Sequence, residues 1–527
     1  MYCAAQAPKD KAPVPFELRR NSTWSAILAD KMIDAVDDIG THVRRIIRNN
    51  MGGQVERFGA KPVICVLGTG WGAHSLVKVV DTDHFDVAVV SPSNAFLFTP
   101  MLPSTATGTV EFRSLLEPIR AANEYVQYFE AECQSIDVTG KKVTCKSAVA
   151  DGRGNMPVFH ISYDILVVAV GEKPASFGVP GVEEYAFFLK TVRDAANLRK
   201  RIQEVFELAS LPGVAEEEIK RLMTMLIVGA GPTGVEFAGT LSDFVKQDLR
   251  KKYPRLAKYV KVVLLQSGDA ILTQFDTKLA QIAMKNLEKI GVDVRTGQRV
   301  TKIDDRQITL ANNDTMEYGI CVWSAGNSVN PLVSDMIRQI PQQMELNNDK
   351  PRKLHVDPFL RVIGTRDVIA LGDCSFMEGN PLPPTAQVAA QQGAYVSHVV
   401  NRRYNVGTGG LDMLPPWKPA SSLSLADRVF STVTDSVTES VDEGGPPKAV
   451  LKKPFEFLSL GILASIGDDK AIAQVEAFDS SLDVWGSPAF LLWKSVYITK
   501  QVSIRNRVLI LFDWLKTQVF GRDLSQF

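Results

Sequence analysis

Two short glycine-rich stretches constrain this chain more than anything else in it: Gly68-Thr69-Gly70-Trp71-Gly72-Ala73 and Gly229-Ala230-Gly231-Pro232-Thr233-Gly234. Each follows a β-rich run (residues 62–67 and 225–228) and leads through a helical stretch into a second run (86–90 and 260–265). A glycine triplet alone is weak, since such turns occur by chance and also pack helices on strands. Between a strand and a helix it says more, because missing side chains let backbone N–H groups and the helix N-terminus receive a pyrophosphate. The order strand, glycine turn, helix, strand is a dinucleotide-binding unit, and it occurs twice. The repeat extends further. Residues 127–145 read as strand, turn at Thr139-Gly140, strand, and residues 293–310 repeat this with a turn near Asp304-Asp305. Each meander leads to a strand closing on small residues, Ala169-Val170-Gly171 and Ser324-Ala325-Gly326. The glycine turns lie 161 residues apart and the closing glycines 155 apart. A duplicated α/β chain with two Rossmann-type dinucleotide-binding domains is predicted.

Length and composition fit that reading. The 527 residues argue for two to four packed units, and 45% hydrophobic with 22% charged residues is ordinary for a globular protein. Fifty-nine basic residues balance 59 acidic ones, so no whole-chain field exists to hold nucleic acid. The six cysteines are scattered without a CxxC pair, which argues against a zinc ribbon, an iron–sulfur site or a disulfide scaffold, and no metal is expected. No apolar run reaches the roughly 18 residues of a membrane span. The N-terminus lacks a secretory block and has some transit-peptide character, with Lys9, Lys11, Arg19 and Arg20 against Asp10 and Glu17. Leu28, Met32, Val36, Ile39, Val43 and Ile46 predict an amphipathic helix over residues 23–49, packed on the body of the protein or against a partner or membrane. Residues 405–454, rich in Gly, Pro, Ser and Asp, read as an insert or linker without an EF-hand pattern.

Two dinucleotide sites in one chain imply transfer between two bound cofactors, most simply a flavin and a nicotinamide. Residues 361–372 run into Leu371-Gly372-Asp373, a strand ending in a carboxylate that suits a ribityl hydroxyl; a turn or N-cap aspartate is the other reading. This resumption of the first domain after the second resembles the two-dinucleotide-domain flavoproteins. The resemblance implies FAD at Gly68, Gly70, Ala73 and Asp373, and NAD(P)H at Gly229, Gly231 and Gly234. Expected domains are an N-terminal extension (1–60), an FAD domain (61–178 and 345–404), an NAD(P)H domain (179–344), the insert (405–454) and a C-terminal membrane-anchoring domain (455–527). Pro383-Pro384-Thr385 starts a helix whose positive end, aimed at the flavin, stabilises the negative charge that reduction adds. Gln387 and Gln391 share one face of it, as uncharged donors for a neutral quinone or as surface glutamines on an Ala-rich helix. At the end of the second strand of the second unit, where an acid would select NADH, stands Gln266, with no Arg or Lys in Ser267-Gly268-Asp269. NADH with some NADPH use is expected.

Several motifs then resemble one branch, the type II NADH:quinone oxidoreductases: Ser91-Pro92-Ser93-Asn94-Ala95-Phe96-Leu97-Phe98-Thr99-Pro100, Phe188-Leu189-Lys190-Thr191, Ala386-Gln387-Val388-Ala389-Ala390-Gln391-Gln392 and the tail Phe520-Gly521-Arg522-Asp523. The resemblance is nearest to fungal and plant mitochondrial members. It implies a monotopic enzyme of the mitochondrial inner membrane that carries FAD, oxidises NADH and reduces ubiquinone without pumping protons, with a homodimer expected. It implies catalytic roles for Gln387, Gln391, Glu236 and Lys190, and cofactor contacts at Ser91, Thr99, Gly171, Ala386 and Gly326. Alone, Glu236 would be a first-turn helix acid and Lys190 an exposed loop lysine. The chain departs from the family at Ser93 and Ala95, where Arg and Tyr are usual, and at Ala175, where bacterial members carry Glu. Ser91 replaces the acid that many flavoproteins set against the adenosine ribose. The rivals are a flavin disulfide reductase and a sulfide:quinone oxidoreductase, both of which need positioned cysteines.

The C-terminal segment supplies a surface argument. Trp485, Trp493 and Trp514 crowd into it, Ile504, Val508, Leu511, Phe512, Leu515 and Val519 recur at helical spacing, and six basic residues oppose two acidic ones over 488–527. Such a pair of helices reads as an in-plane anchor on anionic lipid, or as a dimer or core-packing face.

Overall fold

The computed structural model describes residues 24–50, 58–401, 454–477 and 480–523. The charge pattern before residue 23 and, but for Pro454, the expected insert lie outside them. The chain divides into two compact units: Met1–Asn94, Ile119–Gly171 and Val329–Leu458 form one, and Ala95–Pro118, Glu172–Ser328 and Ser459–Phe527 the other.

The first unit is built on a seven-stranded sheet in the order Val368–Ala370, Ile165–Val168, Val63–Leu67, Asp86–Ser91, Gln127–Asp137, Lys142–Ser147, Val158–Ser162. The first five strands are parallel and the last two turn back antiparallel. Ile64, Cys65, Val66 and Leu67 are all buried, as a parallel strand covered on both faces requires. In register, Leu67 stands beside Val90 on one side and Val168 on the other, and Val168 beside Ala370. The carboxyl ends that precede Gly68, Ser91 and Leu371 therefore lie level, at the point where the strand order reverses. That is where open α/β sheets take ligands.

Helix Trp24–Asn50 belongs to this unit. Its Arg45 donates to the carbonyls of Lys78 and Ala122, and its Asp34 and Asp38 flank the buried His398.

The second unit holds a four-stranded parallel sheet in the order Val292–Arg295, Lys261–Leu265, Thr224–Val228, Ile320–Trp323, and an antiparallel meander Val300–Ile303, Gln307–Leu310, Thr315–Glu317. The C-terminal segment adds a three-stranded antiparallel sheet, Ile462–Gly467, Lys470–Ala477 and Ser480–Gly486, before helices Ser487–Thr499 and Ile504–Phe520. Ile462–Gly467 packs backbone to backbone on helix Pro232–Phe244: a Cβ on Gly239 would lie 2.7 Å from the Gly467 nitrogen. The tail motif has a physical reason here. Gly521, at φ +76°, lets the chain turn onto Asp248, which accepts from the Arg522 backbone N–H and its buried guanidinium at 2.9 and 2.6 Å.

Candidate functional site

In the first unit the glycine turn is shaped by three different demands. Gly68 sits at φ +107°, and a Cβ there would stand 2.5 Å from the Ala169 carbonyl oxygen, so only glycine can leave the strand this way. Gly70 is the N-cap of helix Trp71–Val79 and has nothing within 4 Å of where a Cβ would be, an open cradle over a helix N-terminus. Ala73 is fully buried under it. Gly72, to which the motif alone assigns no role, is required by packing. Its carbonyl oxygen lies 2.0 Å from a would-be Cβ on Gly393, so helices Trp71–Val79 and Ala386–Asn401 touch at the backbone.

The same unit brings Ser91, Gly171, Asp373 and Ala386 to the sheet end described above. The Ser91 hydroxyl lies 3.1 Å from that of Thr69 and accepts from the Ser93 N–H at 3.2 Å, so the place of an acid is filled by a neutral, already engaged group. Gly171 has open space before it at φ +63°. Asp373 follows strand Val368–Ala370 in a turn lining a small cleft with Lys353, Ser375, Pro384 and Thr385. The buried Gln392, not singled out from the sequence, fixes that turn: its Oε1 accepts from the Gly372 N–H at 2.7 Å. Ala386 opens the helix, with Gln387 half-buried beside it. Gln391 spends its amide on the chain, donating to the Leu458 carbonyl at 2.9 Å and accepting from the Leu458 N–H at 3.1 Å.

In the second unit the turn repeats the geometry. Gly229 sits at φ +103°, where a Cβ would stand 2.9 Å from the Ser324 backbone, Gly231 is an open N-cap, and a Cβ on Gly234 would lie 2.0 Å from the Gly229 oxygen. Gln266, at the end of strand Lys261–Leu265, accepts through Oε1 from the Ala230 N–H at 3.0 Å, so it also braces the turn. Gly326 turns at φ +73° against the Phe177 ring. Lys190 precedes helix Val192–Ala209, with its Nζ donating to Asn327 Oδ1 at 3.4 Å, and Thr99 opens a short 3-10 turn.

Glu236 is the electrostatic outlier. Its carboxylate accepts from the Ser465 N–H and the Trp493 indole N–H, each at 3.1 Å. Burial outweighs these two donors and pushes it up to about 7. Trp493 stacks on Phe490 and packs 4.4 Å from Tyr497, whose phenol is held well above its ordinary value by burial and then by Glu236. Ser465 and Trp493 come more than 220 residues later in the chain, so this pocket was invisible to local motif reading.

Both turns fit a dinucleotide: glycine where the chain must bend or touch, open space where a pyrophosphate approaches, and a helix of at least nine residues behind each. Among the described residues no group of His, Cys, Asp or Glu could hold a metal, and no helix is long and apolar enough to cross a membrane.

Comparison with known proteins agrees with this geometry. Residues 62–393 match the pyridine nucleotide-disulphide oxidoreductase family, and residues 460–523 match the NDH2 C-terminal domain. The chain is 39% identical to the external NADH-ubiquinone oxidoreductase 2, mitochondrial, of Saccharomyces cerevisiae, over 88% of this chain and 82% of that one. It is 34% identical to the external alternative NAD(P)H-ubiquinone oxidoreductase B1, mitochondrial, of Solanum tuberosum, over 88% and 90%. Its fold is similar to that of NDH2 from Plasmodium falciparum solved in complex with NADH, with a TM-score of 0.72 and 24% identity, covering 88% of this chain and all of that one.

Proposed function

Because the chain belongs to the pyridine nucleotide-disulphide oxidoreductases, within the branch of type II NADH:quinone oxidoreductases, we propose that it oxidises NADH and reduces ubiquinone at the mitochondrial inner membrane, without pumping protons. The observation that carries this reading is the pair of glycine cradles, each an open helix N-terminus at the carboxyl end of a parallel sheet. FAD, when bound, supplies the redox chemistry, accepting a hydride from NADH and passing two electrons to the quinone.

In this reading Gly68, Gly70, Ala73, Ser91, Gly171, Asp373 and Ala386 hold FAD, with Gln392 fixing the turn that presents Asp373. Thr99 and Lys190 are further cofactor contacts in this reading, Lys190 as a positive charge for the reduced ring. Gly229, Gly231, Gly234, Gln266 and Gly326 hold NADH; a neutral Gln266 binds a ribose hydroxyl yet carries no charge to repel a 2′-phosphate, so NADPH is also used. Gln387 donates to the quinone. Gln391, its amide engaged by Leu458, anchors the wall beside it. Glu236 sets the place of Trp493 and, titrating near neutrality, can hold a proton in a buried position.

The exposed apolar face of helix Ile504–Phe520 carries Ile504, Val508, Leu511, Phe512, Leu515, Val519 and Phe520, the last 83% exposed. Flanked by Arg505 and Lys516, it suits a surface of anionic lipid, with a homodimer contact beside it. The rival sulfide and disulfide chemistries need reactive cysteines, whereas Cys374, next to Asp373, is buried and its thiol is pushed up to about 11. The purified protein should hold FAD and reduce a short-chain ubiquinone with NADH. Turnover with sulfide or a disulfide in place of NADH and quinone would refute the reading.

A further inference from the structure

Cys133 and Cys145 are twelve positions apart in sequence, yet the hairpin of strands Gln127–Asp137 and Lys142–Ser147 sets them directly opposite one another. Opposed residues of an antiparallel pair have Cα atoms about 4.5–5.5 Å apart, inside the roughly 4.4–6.8 Å that a disulfide spans. Both side chains lie on the core side of the sheet, Cys145 within the hydrophobic core and Cys133 packed against it. The register shifts between Cys133 and Ser135, and such an irregularity adds local twist beside the pair. The Cys133 thiol also reaches the Ser135 carbonyl at 3.6 Å. Neither sulfur belongs to the dinucleotide turns or to the Glu236 pocket.

We infer that Cys133 and Cys145 form a redox-modification site, closing to a cross-strand disulfide in the presence of a hydroperoxide. Exposure selects the oxidant. Cys145 is fully buried and Cys133 only partly open, which admits a molecule of peroxide size and excludes a bulky disulfide donor. Cys133, at the rim, is oxidised first. As thiolate it attacks one peroxide oxygen, the O–O bond breaks, and the departing hydroxide takes the Cys145 proton as water. The Cys145 thiolate then attacks the Cys133 sulfenic sulfur, the S–S bond forms, and the S–O bond breaks to release hydroxide. That hydroxide regains the proton Cys133 first gave up. In sum two thiols are oxidised and one peroxide is reduced to two waters. The third sulfur nearby, Cys65 in strand Val63–Leu67, has no exposed surface and is not the residue that the hairpin register sets opposite Cys133. It stays reduced. The closed ring clamps a hairpin whose first strand pairs with the strand ending in Ser91.

The full-length holoenzyme is exposed to hydrogen peroxide, its remaining thiols are alkylated after denaturation, and it is digested without reductant for mass spectrometry. The expected product joins the Cys133 and Cys145 peptides with loss of two hydrogens and is reversed by dithiothreitol. The thermal midpoint rises by roughly 3–8 °C on oxidation, and this rise is absent in Cys133→Ser, which keeps its NADH oxidation rate. Cys145 linked to Cys65, or Cys133 recovered as sulfinic or sulfonic acid with Cys145 alkylated, would overturn the inference.

Discussion

At the scale of single residues, side chains proposed to recognise cofactors also brace their own loops, and variants should separate the two roles. Gln266 faces the second glycine turn with its Oε1 taken by Ala230. A glutamate keeps that acceptor and adds a charge that repels a 2′-phosphate. Gln266→Glu is therefore expected to raise the NADH/NADPH ratio of kcat/KM about tenfold, equivalent to ~1.4 kcal/mol of discrimination; an unchanged ratio would mean that Gln266 does not meet the ribose. The two glutamines of helix Ala386–Asn401 should behave differently from each other. Gln387→Leu is expected to lower quinone turnover while stopped-flow reduction by NADH stays fast. Gln391→Leu leaves the Leu458 N–H and carbonyl without partners and should cost about 1–3 kcal/mol of stability, seen in urea melts. Equal loss of both half-reactions in Gln387→Leu would make that residue structural too. Glu236 gives a pH signature. Its folded value of about 7 lies above the ordinary 4.5, so the native state keeps a proton that the unfolded chain loses between those values. The associated stability is full below about pH 4.5 and is lost as pH rises through 7. Glu236→Gln should match the wild type at pH 4.5 and exceed it at pH 8 by up to about 3 kcal/mol; a gain equal at both pH values would contradict this. Gly68, Gly229 and Gly234 were legible in sequence because a positive φ or a close backbone approach admits no other residue type there. The partners of Glu236 were not, since nothing local to Glu236 names Ser465 or Trp493.

At the scale of elements, helices with a strong period and the hairpins turning at Thr139-Gly140 and Asp304-Asp305 were readable, and the C-terminal sheet was not. The sheet of Ile462–Gly467, Lys470–Ala477 and Ser480–Gly486 was not read from the sequence. Its signal was Asp468-Asp469, both at positive φ, the left-handed pair that a tight hairpin turn needs. Helix Ile504–Phe520 was readable from its spacing, but period alone does not say which apolar residues are covered. The fold covers Ile510 and turns Asp513 inward to the Ser114 hydroxyl and Glu111 N–H, leaving Phe512 and Leu515 65% and 56% exposed. Because those two side chains are exposed, Phe512→Asp with Leu515→Asp should leave the melting temperature and soluble NADH oxidation intact while releasing the protein from anionic vesicles. Added salt should weaken binding of the unaltered chain. Cosedimentation of the double variant at wild-type levels would move the anchor elsewhere, first to helix Trp24–Asn50, where Met32 and Ile39 are also exposed.

At the scale of the whole molecule, duplication explains the plan: two parallel sheets, each ending in a glycine cradle, followed by a segment that adds a sheet and two helices to the second unit. The two nucleotide folds were legible because phosphate binding, strand burial and helix capping all act within some thirty residues. Membership of one unit or the other was less so, because the chain passes between them at residues 94–95, 118–119, 171–172, 328–329 and 458–459, where no composition change marks the step. In the proposed function the molecule joins NADH oxidation to quinone reduction at a membrane surface and moves no charge across it. The decisive experiment reconstitutes the FAD-loaded protein on sealed vesicles containing ubiquinone and a trapped pH dye, then follows NADH, quinol and internal pH together. One quinol formed per NADH consumed, with internal pH unchanged, is the predicted result; NADH consumption without quinol, or a pH change that an uncoupler abolishes, would contradict it.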